Sequence, residues 1–194
     1  HAIQTCAEPG DIRFRDLNND GVINDEDRTV IGNPNPTWLF SMNNSLSYKG
    51  FELSVYLQGV AGNKIFNANN IDNTGMSAAY NQTTDVLNRW TGEGTSNSMP
   101  RAVYGDPNNN NRVSDRFVED GSYLRLKNIT LAYNFPKKWL GKLGIEAMRL
   151  SFSCENVATI TSYSGFDPEV DINGIDLSRY PISRTYSFGL NFNF

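Results

Sequence analysis

The last residues of the chain read Arg184-Thr-Tyr-Ser-Phe-Gly-Leu-Asn-Phe-Asn-Phe194, and from Tyr186 they alternate between apolar and small polar residues. Side chains of a β-strand switch faces at every residue, so this segment predicts a strand with one apolar and one polar face. In a soluble sandwich the apolar face would enter the core. In an outer-membrane barrel it would contact lipid, and the polar face would line a wet lumen. The pattern alone leaves both architectures open.

Composition narrows the functional classes. The 194 residues carry a net charge of −4, with a pI of about 5.0 and a mean hydropathy of −0.47. No basic surface is therefore expected to bind nucleic acid. No apolar run approaches the roughly 20 residues that a spanning helix needs. Cys6 and Cys154 are isolated in sequence and lack metal-ligand spacing, so neither a disulfide nor a thiolate site is expected.

Five segments show strand alternation and are predicted as strands. They lie at residues 37–48, 51–66, 122–135, 147–160 and 184–194. The Lys49-Gly50 turn joins the first two as a hairpin. Segments of this length exceed the usual strand of about 5 to 6 residues but suit tilted membrane strands. A further short strand is predicted at residues 11–15.

The connections between the strands alternate in length. The turns at 49–50 and 136–144 are short, whereas the loops at 67–121 and 162–180 are long. Short turns on one side and long loops on the other are typical of outer-membrane barrels, and so long a loop is uncommon in a compact soluble domain. The predicted fold is therefore all-β, made of antiparallel transmembrane barrel strands. The long loops would be extracellular and the C-terminus periplasmic.

One loop has the spacing of a calcium site. The run Asp16-Leu-Asn-Asn-Asp-Gly-Val-Ile-Asn-Asp-Glu-Asp27 places oxygen ligands as an EF-hand loop does, with glycine at the sharp turn. Its last position is aspartate instead of glutamate, which resembles the dockerin-type variant. The predicted Ca²⁺ ligands are the side chains of Asp16, Asn18, Asp20, Asn24 and Asp27 and the carbonyl of Val22. The alternative is an acidic turn that is merely solvated.

Four motifs in order resemble the C-terminal region of SusC/RagA-type TonB-dependent outer-membrane transporters of Bacteroidetes. They are Pro9-Gly-Asp-Ile-Arg-Phe-Arg-Asp-Leu-Asn-Asn-Asp-Gly-Val-Ile23, Ile31-Gly-Asn-Pro-Asn-Pro-Thr-Trp38, Tyr123-Leu-Arg-Leu-Lys-Asn-Ile-Thr-Leu131 and Gly165-Phe-Asp-Pro-Glu169. The resemblance covers nearly the whole chain and implies the last quarter or so of a barrel of about 22 strands. A strand ending on a terminal phenylalanine, as at Phe194, also resembles the C-termini that the barrel assembly machinery reads.

The resemblance implies active import of oligosaccharides or peptides across the Gram-negative outer membrane, driven through TonB. A SusD-like surface lipoprotein and outer-membrane lipid are the implied partners. This chain would supply barrel wall, extracellular loops (residues 1–36 among them) and the assembly signal. The TonB complex would act through parts of the transporter that have no counterpart in this sequence. No position here inherits a substrate-binding role from the motifs.

Two other functions compete with transport. A secreted, calcium-stabilised β-domain could bind glycans through loop aromatics such as Trp90, Tyr104 and Tyr163, although these residues could equally pack the loops. Carboxylate pairs occur at Glu119/Asp120 and Asp167/Glu169. Glycosidase chemistry needs two carboxylates at a set separation, which sequence does not show. The chain is therefore not expected to be an enzyme, and no catalytic residue is predicted.

Overall fold

The computed structural model describes residues 3–141 and 144–194, so Lys142 and Leu143 of the predicted 136–144 turn lie outside it. Strands dominate the described ranges. They are β1 (Trp38–Tyr48), β2 (Phe51–Ala61), β3 (Lys64–Asn67), β4 (Val118–Asp120), β5 (Tyr123–Asn134), β6 (Ala147–Thr161), β7 (Ile175–Asp176) and β8 (Thr185–Asn193). The helical segments are α1 (Asn69–Asn73), α2 (Lys137–Leu140) and 3₁₀ turns at Asp25–Asp27, Thr84–Asn88 and Asp115–Phe117. Among the described helices, none combines the length and the apolar character needed to cross a membrane.

The main sheet has five antiparallel strands in the order β1-β2-β5-β6-β8. Successive neighbours are joined either by a short turn, as between β1 and β2, or by a long loop, as between β2 and β5. The all-β antiparallel prediction is confirmed, and the sheet is open because β1 and β8 each have one edge that pairs with no strand of residues 3–141 and 144–194.

The two faces of this sheet differ in chemistry because directly opposite residues share a face. One row across the five strands contains only apolar side chains. It runs Leu46, Leu53, Leu131, Phe152 and Phe188. The adjacent row contains only hydroxyl side chains and faces the other way. It runs Ser45, Ser54, Thr130, Ser153 and Ser187.

The apolar face is not covered by any described part of the chain. Leu46 is 62% exposed, Leu131 46% and Phe188 81%. Such a continuous apolar face is far larger than a soluble monomer normally exposes. It therefore needs a covering environment.

A β-bulge at Lys127 interrupts the alternation in β5. Leu126 lies opposite Leu57 of β2, but the next pair is Asn128 with Tyr56, which leaves Lys127 as an extra residue. A bulge of this kind shifts the face assignment on one side by one position. Leu124 and Leu126 therefore share the apolar face with the odd-numbered residues Ile129 and Leu131.

The chain divides into two compact units. The sheet unit comprises residues 34–64, 120–170 and 179–194, and the loop unit comprises residues 1–33, 65–119 and 171–178. In the loop unit, Ile65 and Phe117 are the fully buried apolar side chains among the described residues, and Phe66 meets Phe117 edge-on at 6.3 Å. Most of the loop unit is thus built without an extensive apolar core.

Two predicted strands are corrected by the structure. The strand predicted at 51–66 is interrupted at Gly62 and Asn63, and β3 belongs to a separate small sheet with β4 and β7. Gly62 has a φ of +86°, and a Cβ there would lie 2.6 Å from Thr37 Oγ1, so the chain must leave the ladder. Residues 11–15, which the structure describes in full, form no strand. There, side-chain amides take the main-chain hydrogen bonds that a partner strand would make.

Candidate functional site

A buried arginine on the polar face of the sheet fixes the loop that follows β6. The side chain of Arg125 is 2% exposed. Its Nη2 donates to Asp167 Oδ1 (2.6 Å) and its Nη1 to Glu169 Oε2 (2.8 Å), while Nε donates to Thr159 Oγ1 (2.9 Å). All three nitrogens of the guanidinium are therefore paired, two of them with carboxylates, which is the arrangement that makes a buried charge tolerable.

The Asp167–Glu169 loop is also braced from within. Asp167 Oδ1 accepts the Glu169 amide (2.8 Å), and the Glu169 carbonyl accepts Arg179 Nη1 (3.0 Å). Lys127 Nζ lies 3.8 Å from Glu169 Oε2. Both carboxylates of the Asp167/Glu169 pair are thus engaged in holding the loop.

Tyr163 packs this loop instead of presenting an aromatic surface. It is 5% exposed, and a Cβ on Gly165 would lie 2.4 Å from its ring. Only glycine allows the backbone to pass so close. Of the other loop aromatics considered as glycan contacts, Tyr104 is 86% exposed, whereas the ring of Trp90 packs against the backbone of Gly10.

The loop unit is held by a network of side-chain amides. Asn108 and Asn110 are 1% and 2% exposed. Gln4 Nε2 donates to Asn108 Oδ1 (2.7 Å), and Asn108 Nδ2 donates to Asn110 Oδ1 (2.7 Å), which also accepts the Ile12 amide (2.9 Å). These amides connect the segment near residue 12 to the segment near residue 110, far apart in sequence.

Asp11 anchors the same network by an ion pair. Its carboxylate is 1% exposed and accepts Arg101 Nε (2.9 Å) and Asn110 Nδ2 (2.9 Å) through Oδ1. Burial alone would raise the pKa of Asp11, but the hydrogen bonds from Arg101 and Asn110 outweigh it and hold the pKa below its ordinary value. The same pairing raises the pKa of Arg101.

The aspartate-rich loop is closed by its own side chains. Asp16 accepts the Asn19 and Gly21 amides (2.7 and 3.0 Å), and Asp27 accepts the Leu17 and Asn24 amides (2.7 and 2.9 Å). Those two main-chain donors lower the pKa of Asp27. The last predicted ligand is thereby brought back beside the start of the loop, as a calcium loop requires.

The remaining predicted ligands lie in the same loop. Asp20 Oδ1 accepts the Val22 amide (2.8 Å), Asn18 Nδ2 donates to Asp20 Oδ2 (3.0 Å), and Asn24 Oδ1 accepts the Glu26 amide (2.6 Å). Across the described residues, no three carboxylate, thiol or imidazole groups lie close enough together to form a metal site. Calcium binding therefore stays a prediction carried by the spacing of the loop.

The role of Arg125 was not predicted from the sequence, where this residue stood only as part of the Tyr123–Leu131 motif. The sequence did carry a signal. Arg125 stands between Leu124 and Leu126, and neighbouring residues of a strand face opposite sides, so the arginine must lie on the polar face if the two leucines lie on the apolar one. Both cysteines are free thiols: Cys6 is exposed and Cys154 is buried in β6.

No family model matches the chain, but curated proteins with similar sequences are TonB-dependent receptors. TonB-dependent receptor P3 of Formosa agariphila is 37% identical across 97% of this chain and 19% of its own length. TonB-dependent receptor SusC of Bacteroides thetaiotaomicron is 28% identical across 96% of this chain and 18% of its own length. This chain thus spans about a fifth of the length of the curated relatives it matches.

Solved structures agree in fold. The RagAB peptide importer in its closed-closed state superimposes with a TM-score of 0.75 at 25% identity, covering 85% of this chain and 18% of that one. Its open-open state gives a TM-score of 0.69 over 82% of this chain.

Proposed function

This chain belongs to the SusC/RagA family of TonB-dependent receptors as a fragment matching the C-terminal part of the barrel, and from that premise we propose that it forms barrel wall and extracellular loops of an outer-membrane nutrient importer. TonB-dependent receptors are transporters of the outer membrane. The proposed cargo is an oligosaccharide or a peptide. The secreted glycan-binding domain is the weaker alternative, because the relatives are receptors and the exposed apolar sheet face suits lipid.

The observation that carries this proposal is the division of the sheet into one apolar and one hydroxyl-rich face. In water, the row from Leu46 to Phe188 would promote aggregation. Against lipid the same row is favourable, and the row from Ser45 to Ser187 would meet a polar lumen. The open edges of β1 and β8 would be closed by other strands of the barrel, because an unpaired edge cannot lie within lipid.

The proposed partners follow from the relatives. RagAB is named as a peptide importer, and we propose that this receptor likewise works with a SusD-like surface lipoprotein and draws energy through the TonB complex. Co-purification of the full-length receptor from native membranes tests the first partner. Recovery of the receptor alone, under conditions that preserve RagAB as a complex, would contradict it.

Import is tested by deleting the receptor gene in its host and growing the strain on single oligosaccharides or peptides. We expect growth to fail on the cognate nutrient and to return with the intact gene. A proton-gradient uncoupler should abolish uptake of that nutrient by the intact strain without removing surface binding. Unchanged growth of the deletion strain on every nutrient that the intact strain uses would refute the proposal.

The proposed topology places the Lys49-Gly50 turn and the C-terminus in the periplasm and the 67–121 loop outside. Single cysteines at Lys49 and at Tyr104 test this in whole cells, because a membrane-impermeant maleimide reaches only the outer surface. We expect labelling at Tyr104→Cys and none at Lys49→Cys until the outer membrane is permeabilised. The reverse pattern would invert the topology. Native Cys6 must first be replaced by serine, since it is exposed.

We also propose that the 16–27 loop holds a structural Ca²⁺ through the six predicted ligands. Support comes from the ligand spacing and from Asp27 lying beside Leu17. Ca²⁺ added to chelator-treated receptor should raise the temperature of thermal unfolding, and Asp16→Asn with Asp20→Asn should remove that response. The matched control is Asp85→Asn, on the exposed Thr84–Asn88 turn. Equal responses of all three proteins would dismiss the site.

A further inference from the structure

An arginine in the loop unit is partly desolvated and forms no ion pair with any described residue. Arg116 lies in the 3₁₀ turn Asp115–Phe117 and is partly buried. Its Nη1 is buried without a hydrogen-bond partner. Among the described residues its Nη2 donates to two neutral acceptors, Thr74 Oγ1 at 3.3 Å and Met99 Sδ at 3.0 Å. Burial lowers the pKa of Arg116, an effect that the more distant charge of Asp106 only partly offsets.

Arg116 borders a cleft of about 500 Å³ within the loop unit. Its lining includes the apolar and aromatic groups of Trp90, Met99 and Pro100, together with the serines at 96 and 98. A second guanidinium, that of the exposed Arg13, also borders the cleft and forms no ion pair with any described residue. The cleft thus combines two unpaired cations with a surface for apolar contact.

Asp11 is the carboxylate among the described residues that line this cleft, and it pairs with neither Arg116 nor Arg13. Asp11 borders the cleft, but both of its oxygens are occupied: Arg101 and Asn110 donate to Oδ1, and Arg101 and the Glu8 amide donate to Oδ2. Asp106 accepts the amides of Asn110 and Asn111 instead of a guanidinium. The local charge left over is therefore positive.

We propose that this cleft binds a carboxylate of the imported nutrient, with Arg116 as the pairing cation and Trp90 as the adjoining contact surface. A guanidinium presents parallel N–H donors that match a carboxylate, and a desolvated cation gains most from such a partner. Trp90 offers the large, rigid area on which a sugar ring or a peptide side chain packs. The inference deepens the proposed import function and rests on it.

A carboxylate can come from an acidic sugar or from a peptide C-terminus, and paired probes separate them. The probes are D-glucuronate against D-glucose, and tri-alanine against tri-alanine amide, titrated into purified full-length receptor by ligand-observed NMR. We expect one acid to bind at least about tenfold more tightly than its neutral counterpart. The pair that discriminates identifies the substrate class.

The variants are Arg116→Met, which keeps an unbranched apolar stem and removes the charge, and Arg28→Met as the matched control. Arg28 carries the same charge in the same unit, but its side chain is 79% exposed and pairs only with Asp25. Discrimination should vanish in Arg116→Met, weaken in Arg116→Lys and persist in Arg28→Met. Persistence in Arg116→Met, or no discrimination in the unmodified receptor, would overturn the inference.

Thermal unfolding of the same variants shows whether another part of the receptor already supplies the carboxylate. Without ligand, Arg116→Met should unfold at the same temperature as the unmodified receptor or higher, because an uncompensated buried charge is removed. A clear decrease would mean that Arg116 is already paired within the receptor, and the substrate site would be abandoned. If the deletion strain fails to grow on the nutrient but the receptor shows no preference for the charged probe, only the carboxylate site is refuted. If growth of the deletion strain is unaffected, the import function itself is refuted.

Discussion

The sheet unit and the loop unit solve the same problem, satisfying the backbone, in opposite ways. In the sheet, main chain pairs with main chain, and side chains are sorted by simple alternation into rows such as Leu46 to Phe188. In the loop unit, side chains do the pairing: Asn110 accepts the Ile12 amide and Gln4 accepts the Phe14 amide. Sheet positions therefore constrain polarity, whereas loop positions constrain the identity of a single residue.

The sheet unit also contains one position where the identity of the residue matters, that of the buried Arg125. Arg125→Met should destabilise the receptor by about 3–5 kcal/mol, since it leaves the buried carboxylate of Asp167 without its partner. The free energy of unfolding in detergent and the hydrogen exchange of residues 163–169 measure the effect.

Arg149→Met provides the matched control for Arg125→Met. Arg149 pairs with Glu52 on the same sheet, but both side chains are more than 40% exposed, so its loss should cost no more than about 1 kcal/mol. Similar costs for the two variants would show that burial does not distinguish them.

Neighbouring residues of β8 test the alternation itself. Phe188→Arg would place a charge on the apolar face and should cost about 2–4 kcal/mol near the middle of the bilayer, whereas Ser187→Arg on the polar face should cost little. Refolding titrations in lipid vesicles compare the two. A larger cost at Ser187 would reverse the assignment of the faces.

In the loop unit, Asn110→Ala should cost about 1–3 kcal/mol, because the buried Ile12 amide and Asn108 Nδ2 lose their acceptor. Hydrogen exchange at residue 12 should accelerate in parallel. The exposed Asn88, replaced by alanine, should leave both quantities unchanged. If Asn88→Ala had the same effect as Asn110→Ala, the buried asparagine would not be specifically required in the loop unit.

The smallest expected effect is the loss of stability around Asp11 at acid pH. Because pairing lowers the pKa of Asp11 below its ordinary value of 3.8, its contribution to stability is complete above that value and is lost as pH falls through the lowered pKa. Exchange protection near residues 8–12 should therefore decline below about pH 4. Asp11→Asn should flatten that decline, and an undiminished pH dependence in this variant would assign the titration to another group.

Alternation made the sheet predictable. Strands at 37–48, 122–135, 147–160 and 184–194 correspond to β1, β5, β6 and β8, because a period of two is visible in a single sequence. The errors lie where a non-local contact overrides the pattern. Gly62 turns the chain out of β2 beside Thr37, and Gln4 and Asn110 replace the partner strand expected for residues 11–15.

The candidate sites were less accessible from sequence for the same reason. Calcium-type spacing is local and could be recognised at 16–27. The pairing of Arg125 with Asp167, and the missing partner of Arg116, depend on residues more than 15 positions away or on none at all. Local sequence patterns predict strand faces and turns, but they do not predict which charged side chains form ion pairs.

The bulge at Lys127 compensates for one extra residue in β5. Leu124 and Leu126 are out of step in sequence with Ile129 and Leu131, and the bulge lets all four side chains share the apolar face. If Lys127 were paired as a regular ladder residue instead, one half of the strand would turn over, and turning the first half would carry Arg125 to the lipid. Deleting Lys127 would restore simple alternation, so a gene encoding this strand can lose that one codon and keep every remaining side chain of β5 on its present face.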